Sequence, residues 1–396
     1  MQTPSEPAPL RVADRELVVE SFELFEVPPR WLFLKVTTAG GLTGWGEPGV
    51  EGRARTVRAA VEELGQYVIG RPANRVEDIW QVLFRGGFYR GGPVLMSALS
   101  GIDQALWDIK GKALDVPVYE LLGGPVRSGI DMYGWIGGDR PDDVAEAARA
   151  RVDAGFTAVK MNASAETLWV DGPDRIQEMA DRMRVVRDAV GPEIGIGVDF
   201  HGRLHRGTAR RAIEALEPYG PMFIEEPLGP GHDDLLPELR AVSAAPIATG
   251  ERLYSRWDFK DVIPHVDIIQ PDLSHAGGIS EVRRIAAMAE AYDVALAPHC
   301  PLGPLALAAS LHVDFASINA LIQESSLGIH YNEGADLLDY VTNPEVFDLE
   351  DGRIKLPTGP GLGVIVDEGA VREADAKGHD WTGPIWRRDD GSFADW

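Results

Sequence analysis

Between residues 126 and 335 the chain alternates eight short apolar segments with longer amphipathic ones, and few architectures accept that rhythm. The apolar segments are IDMYGWI (130–136), AVKMN (158–162), IGVDFH (196–201), MFIEEP (222–227), PIATGE (246–251), VDIIQPD (266–272), VALAPHC (294–300) and NALIQES (319–325). Each has the length of a buried strand, and stretches such as PDDVAEAARARVDAG and ISEVRRIAAMAEAYD between them carry helical spacing. Strands separated by helices pair in parallel through right-handed crossovers. Eight such units predict an α/β fold closed into a (β/α)8 barrel. A doubly wound open sheet is the alternative, but it usually has fewer units and a glycine-rich first turn. Neither a GxGxxG nor a Walker loop occurs.

The flanks read differently. Residues 16–50 alternate as strands, with Gly40-Gly41 marking a hairpin, and residues 53–122 turn helical. That order predicts a separate α+β domain, ending at the punctuator Leu122-Gly123-Gly124-Pro125. The expected division is a flexible tail over 1–15, the α+β domain over 16–125, the barrel over 126–335 and a C-terminal segment over 336–396 packing back on the first domain. No apolar run reaches 18 residues, and the opening MQTPSEPAPLRVADRE lacks the apolar core of a secretory signal. A single cysteine, Cys300, excludes an internal disulfide framework. These features predict a cytoplasmic enzyme. The net charge of -24 disfavours nucleic acid and anionic membrane as partners. Only seven of the 38 basic residues are lysine, a balance that would suit work at high salt. An unchanged melting temperature between low and molar KCl would exclude that adaptation.

In a barrel the C-terminal strand ends converge on one mouth, where active sites sit. Read in order, these ends carry Lys160 and Asn162, Asp199 and His201, Glu225, Glu251, Asp272, His299 and Glu324. Asp199, Glu225 and Glu251 end successive strands, in two steps of 26 residues. One such acid often does no more than cap a helix. Three in one mouth repel unless a cation neutralises them, and all-oxygen ligands favour Mg²⁺, with Mn²⁺ as the alternative. Alternation turns Glu226 away from Glu225. Asp272 stands beside His299 and can fix its tautomer and raise its basicity. Glu324, if protonated, can donate to a substrate carboxylate, although its spacing equally suits a helix cap. Cys300 should point away from the mouth. The other seven histidines, including His205, His275 and His312, read as surface or packing residues. The set fits proton abstraction beside a carboxylate, with a cation stabilising the enediolate and a second histidine acting as acid.

These motifs resemble the enolase superfamily, in its mandelate-racemase-like group, and within it the D-galactonate dehydratases. The similarity runs over nearly the whole chain after the first 20 residues or so. It includes PPRWLFLKV, GWGEP, FYRGGPVLMSALSGIDQALWDIKGK, GVDFHGR, FIEEP, GERLYSRWDFK, IQPDLSHAGGI and AEAYDVALAPHCPLGPLALAA. The resemblance implies a modified TIM-type barrel of seven to eight units, a capping domain over its mouth, bound Mg²⁺ and a homo-oligomer. It makes Asp199, Glu225 and Glu251 the metal ligands, His201 the general acid and His299 the base. Asp272 becomes the group that raises the basicity of His299, and Glu324 the stabiliser of the enediolate. Strand two reads Lys160-Met161-Asn162, so the second lysine of the racemases' K-x-K pair is an amide, and a lysine base is disfavoured. Lys160 and Asn162 remain candidate substrate contacts. The implied reaction is dehydration of a sugar acid, D-galactonate first, to a 2-keto-3-deoxy acid. Gluconate or another aldonate, and epimerisation, are the alternatives. A non-catalytic sugar-acid-binding barrel is the alternative of a different class.

Overall fold

The computed structural model describes residues 12–137, 144–329, 332 and 334–395. The expected tail lies mostly outside these. Its last residues, Val12–Arg15, form a helical turn, where Asn74 Nδ2 donates to Asp14 Oδ1 at 3.0 Å.

The N-terminal domain is a three-stranded antiparallel sheet, β1 (Val19–Val27), β2 (Trp31–Thr38) and β3 (Thr43–Gly46), against helices α1 (Ala54–Gly65), α2 (Val76–Arg85) and α3 (Pro93–Leu114). The predicted hairpin joins β2 to β3, with Gly41 at a φ of 82. The glycines of GWGEP are required by packing. A Cβ on Gly46 would lie 2.0 Å from the Gly101 carbonyl of α3, so only glycine lets the helix seat on the strand. That helix also satisfies the free edge of β3. Asp108 Oδ2 accepts from Trp45 N at 3.0 Å, and Gln104 Oε1 accepts from Glu47 N at 2.7 Å.

The eight expected strands form the barrel: β4 (Gly129–Ile136), β5 (Ala158–Asn162), β6 (Gly195–Asp199), β7 (Phe223–Glu225), β8 (Ile247–Thr249), β9 (Ile268–Ile269), β10 (Ala295–Leu296) and β11 (Gln323–Ser325). All pair in parallel in sequence order. β11 returns beside β4, and Leu296 of β10 bridges Ala320, which closes the ring. Ladders are shorter than the apolar runs, so Asp272 and His299 stand beyond the last hydrogen-bonded residues of β9 and β10. Tyr133, Phe223, Ile268 and Ile322 fill the interior with small residues such as Ala158 and Ala248. Gly197 makes room for Phe223, whose ring would lie 2.5 Å from a Cβ there.

The two domains are docked by buried and part-buried hydrogen bonds. Trp80 Nε1 donates to Gly277 O at 2.9 Å, and Trp107 Nε1 donates to Ser280 Oγ at 2.9 Å. Glu47 accepts from Gly303 N at 2.7 Å and Ala306 N at 3.0 Å, at the start of the helix Pro304–Ala316.

The C-terminal segment touches both domains. Its strand β13 (Arg353–Lys355) pairs antiparallel with β4 and carries β12 (Leu349–Glu350) outside it. The helix Glu368–Lys377 lies on the N-terminal sheet, where Lys35 Nζ meets Glu368 at 2.8 Å and Arg372 meets Glu23 at 2.7 Å. Beyond it, Asp380 pairs with Arg55, and the hairpin of β14 (Trp386–Arg387) and β15 (Phe393–Ala394) reaches the barrel. There Arg388 Nε donates to Thr167 O at 2.9 Å.

Candidate active site at the barrel mouth

Asp199 and Glu225 are cross-strand neighbours in register. Strand alternation stacks them inward above Gly197 and Phe223, and both are fully buried. Glu251 follows β8 in the next loop. Asp199, His201 and Glu251 offer ligand atoms that lie within 4.8 Å of one another. The chain turns sharply after Asp199: His201 has a φ of 49, and its N–H donates to Asp199 Oδ1 at 2.7 Å. This turn brings His201 Nε2 to 3.0 Å from Asp199 Oδ2.

Lys160 sits beneath the acids, fully buried. Its Nζ lies 2.7 Å from Glu225 Oε1, 2.9 Å from Glu324 Oε1 and 3.6 Å from Asp199 Oδ2. Burial opposes its charge, but Glu225 and Glu324 outweigh that and hold the ammonium well above its usual pKa. Three carboxylates thus share one buried ammonium. Burial and the Asp199 charge push Glu225 well up, and Glu225 Oε2 is buried with no hydrogen-bond partner among the described residues. An unsatisfied carboxylate oxygen among hard oxygen donors is what a divalent cation would complete, so the residues fit such an ion. Burial also works against Asp199, yet His201 and Lys160 hold it below the ordinary carboxylate range.

Across the mouth, His299 Nδ1 meets Asp272 Oδ2 at 2.8 Å, and its Nε2 lies 3.2 Å from Glu251 Oε2. Burial disfavours its charge, but Glu251, Glu324 and Asp272 push its pKa up to about 10. His201 is raised likewise, with Asp199 and Glu251 overcoming burial. Glu324 accepts from Trp135 Nε1 at 2.7 Å and Cys300 N at 2.8 Å. Against burial, Lys160 and His299 keep it low, so it would first have to take up a proton before donating one. Cys300 is buried, and burial pushes its thiol well up.

One cavity is lined by His201, His299, Glu251 and Trp135 of the barrel, with Arg30 and Glu51 of the N-terminal domain and Trp381 of the C-terminal segment. Neither Lys160 nor Asn162 lines it; both are fully buried. Sequence reasoning missed several residues here. Glu226 turns away from Glu225, as alternation predicts, but it is buried and accepts from Thr249 Oγ1 at 2.8 Å and Gly250 N at 3.0 Å. His275, read from sequence as a surface or packing histidine, also lines this cavity. The loop after β9 folds back over the strand end, and neighbouring ladders give no hint of that. Arg252 had a signal, since it follows Glu251 at a strand end. Arg30 and Trp381 had none, because they arrive from other parts of the fold.

Two family models match the chain: the mandelate racemase / muconate lactonizing enzyme N-terminal domain over residues 28–123, and the enolase C-terminal domain-like family over residues 143–370. The chain is 56% identical over 374 residues to a D-galactonate dehydratase of Ralstonia pickettii (strain 12J), covering 94% of this chain and 98% of that one. A D-galactonate dehydratase of Ralstonia nicotianae is 55% identical over the same shares. Among solved structures, an enolase from Agrobacterium radiobacter with bound sodium and L-malate superposes with a TM-score of 0.87 at 33% identity, covering 95% of this chain and 99% of that one. A mandelate racemase/muconate lactonizing enzyme from Jannaschia sp. CCS1 superposes at 0.82 with 31% identity, over 93% and 98%. No helix of the described residues is long and apolar enough to cross a membrane.

Proposed function

Because the chain belongs to the mandelate racemase/muconate lactonizing enzyme group of the enolase superfamily, we propose that it dehydrates D-galactonate to 2-dehydro-3-deoxy-D-galactonate and water. One observation carries this reading: His201 and His299 face a single cavity, and Glu251 stands beside both of them. The near-full-length likeness to two D-galactonate dehydratases supports the substrate.

Asp199, Glu225 and Glu251 would hold the cation, Mg²⁺ first and Mn²⁺ as the alternative. When bound, such an ion supplies positive charge against a substrate carboxylate and so stabilises the anion left by loss of the neighbouring proton. His299, in its neutral form, takes that proton from C2 at Nε2, while Asp272 holds the ring by Nδ1. The electron pair of the broken C2–H bond passes into the substrate carboxylate as the enediolate, and its return forms the C2–C3 double bond as the C3–O bond breaks. His201, charged beside Asp199, gives its proton to the departing hydroxyl, which leaves as water. The enol then tautomerises to the 2-keto acid. Glu324 and Lys160 keep the acidic floor of the mouth in place as this charge moves. Lys160, held by Glu225 and Glu324, takes no part as a base. The same reading places the enzyme in the cytoplasm as a homo-oligomer acting on a small sugar acid.

Proton NMR in D₂O with Mg²⁺ and a panel of diastereomeric sugar acids tests it. Consumption of galactonate with a deuterated 2-keto-3-deoxy product is the expected result. Turnover of another aldonate keeps the mechanism and replaces the substrate, whereas exchange at C2 without elimination marks an epimerase. Silence across the panel returns the chain to a binding role.

A further inference from the structure

His275 stands in the turn after β9, its N–H donating to Asp272 O at 3.1 Å. Its ring lies 6.1 Å from that of His299, on the same cavity. Nδ1 is 3.8 Å from Asp272 Oδ2, the oxygen that holds the His299 ring. The opposite ring nitrogen, Nε2, is buried and has no hydrogen-bond partner among the described residues. The residue as a whole is only 9% exposed. Leaving a buried polar atom unsatisfied forfeits the hydrogen bonds it would make in water. A cavity wall tolerates that cost where a ligand completes the bond.

We propose that His275 Nε2 hydrogen-bonds a hydroxyl of the bound sugar acid beyond C3, and so determines which diastereomer is accepted. The inference rests on the dehydratase reading, in which C2 lies against His299. From there, the 6.1 Å between the ring centres compares with about 4 Å from C2 to the C4 hydroxyl and about 5 Å to the C5 hydroxyl along an extended chain of bonds of about 1.5 Å. That reach passes C2 and C3, where galactonate and gluconate are alike, and arrives at the hydroxyls of C4 and C5. Galactonate and gluconate differ at C4. A site built to hydrogen-bond a hydroxyl discriminates strongly when that hydroxyl is misplaced, because the protein atom is then left buried and unpaired.

The test compares wild type, His275→Leu and His275→Gln for kcat/KM on D-galactonate and D-gluconate. His275→Leu is expected to lower the ratio of the two by about 10–100-fold, and His275→Gln, which keeps a polar head, to restore much of it. The ratio does not depend on the fraction of enzyme that is folded, so a poorly folding variant still reports it. An unchanged ratio, or a loss spread evenly over all acids, overturns the assignment. If wild type prefers another aldonate, the galactonate reading falls, and the same loosening is expected between that acid and its C4 and C5 epimers. If wild type turns over no aldonate, the dehydratase reading falls. Calorimetric binding of the same acids then decides, and equal affinities in wild type and His275→Leu overturn the role.

Discussion

Arg252 and Glu226 form an ion pair at 2.5 Å under the barrel mouth, and a second guanidinium nitrogen donates to the His201 carbonyl at 3.1 Å. The pair therefore fastens one turn of the mouth to the next. His201 needs such a fastening because its backbone sits in the left-handed region, where a residue with a Cβ stays only if its surroundings hold it there.

Arg252→Ala strands the buried Glu226 carboxylate. Losing one partner of a buried pair costs about 3–5 kcal/mol, and the 27% exposure of the Arg252 side chain puts the expected loss at the low end. Thermal melts should show it. The double variant Glu226→Gln with Arg252→Met should recover much of the melting temperature while dehydration stays slow, since His201 has still lost its anchor. Full activity in that double variant would separate the pair from His201.

His299→Asn is expected to abolish α-proton exchange, a loss of at least about 10²-fold. His201→Asn should keep exchange and lose elimination. Both readings come from one NMR experiment in D₂O. Loss of exchange in both variants would assign His201 to holding cation or substrate.

Asp272→Asn keeps the size of the side chain but removes the charge that faces His299 Nδ1. The expected result is a fall in kcat of about 10²-fold or more with KM little changed, because the base is disoriented and the cavity is not. Steady-state kinetics on the preferred acid checks this.

Chelation should abolish turnover, and Mg²⁺ should restore it. Binding only the folded protein, the ion should stabilise it by about 2.7 kcal/mol at a hundred times its Kd. Glu225→Gln should move the Mg²⁺ dependence of the melting temperature to higher concentration, which reads the site without any assay of activity.

Glu47 lies between the domains, where burial pushes it from 4.5 up to about 8 against the pull of its backbone hydrogen bonds. A carboxyl whose folded pKa is raised binds its proton more tightly in the native state. Its contribution is whole below about 4.5 and is lost as pH rises through about 8. Wild type should therefore lose melting temperature between those limits more steeply than Glu47→Gln. Parallel pH curves would remove Glu47 as the cause.

Much of this molecule was legible in its sequence. The eight strands were, because burial on both faces makes each a continuous apolar run and the helices between them keep their own period. The acids at the ends of β6 and β7 were, since strand direction fixes which end meets the mouth. Lys160 was seen but not understood. From sequence it faced the substrate, whereas the pull of Glu225 and Glu324 keeps it beneath the acids. His275 is buried, as a packing residue would be, but its place on the cavity depends on a loop folding back over the end of β9, and no periodicity records that. Arg30, Glu51 and Trp381 reach the cavity through contacts between parts of the chain hundreds of residues apart, where spacing carries no information.

Trp381 has a further consequence, in the order of synthesis. The ring of strands ends with β11 at 325, and the cavity wall is complete only at 381, 56 residues later in translation. A chain that ends before 381 lacks one wall of the cavity however much of the barrel it retains, so the enclosure of substrate rests on a residue translated after the whole catalytic set.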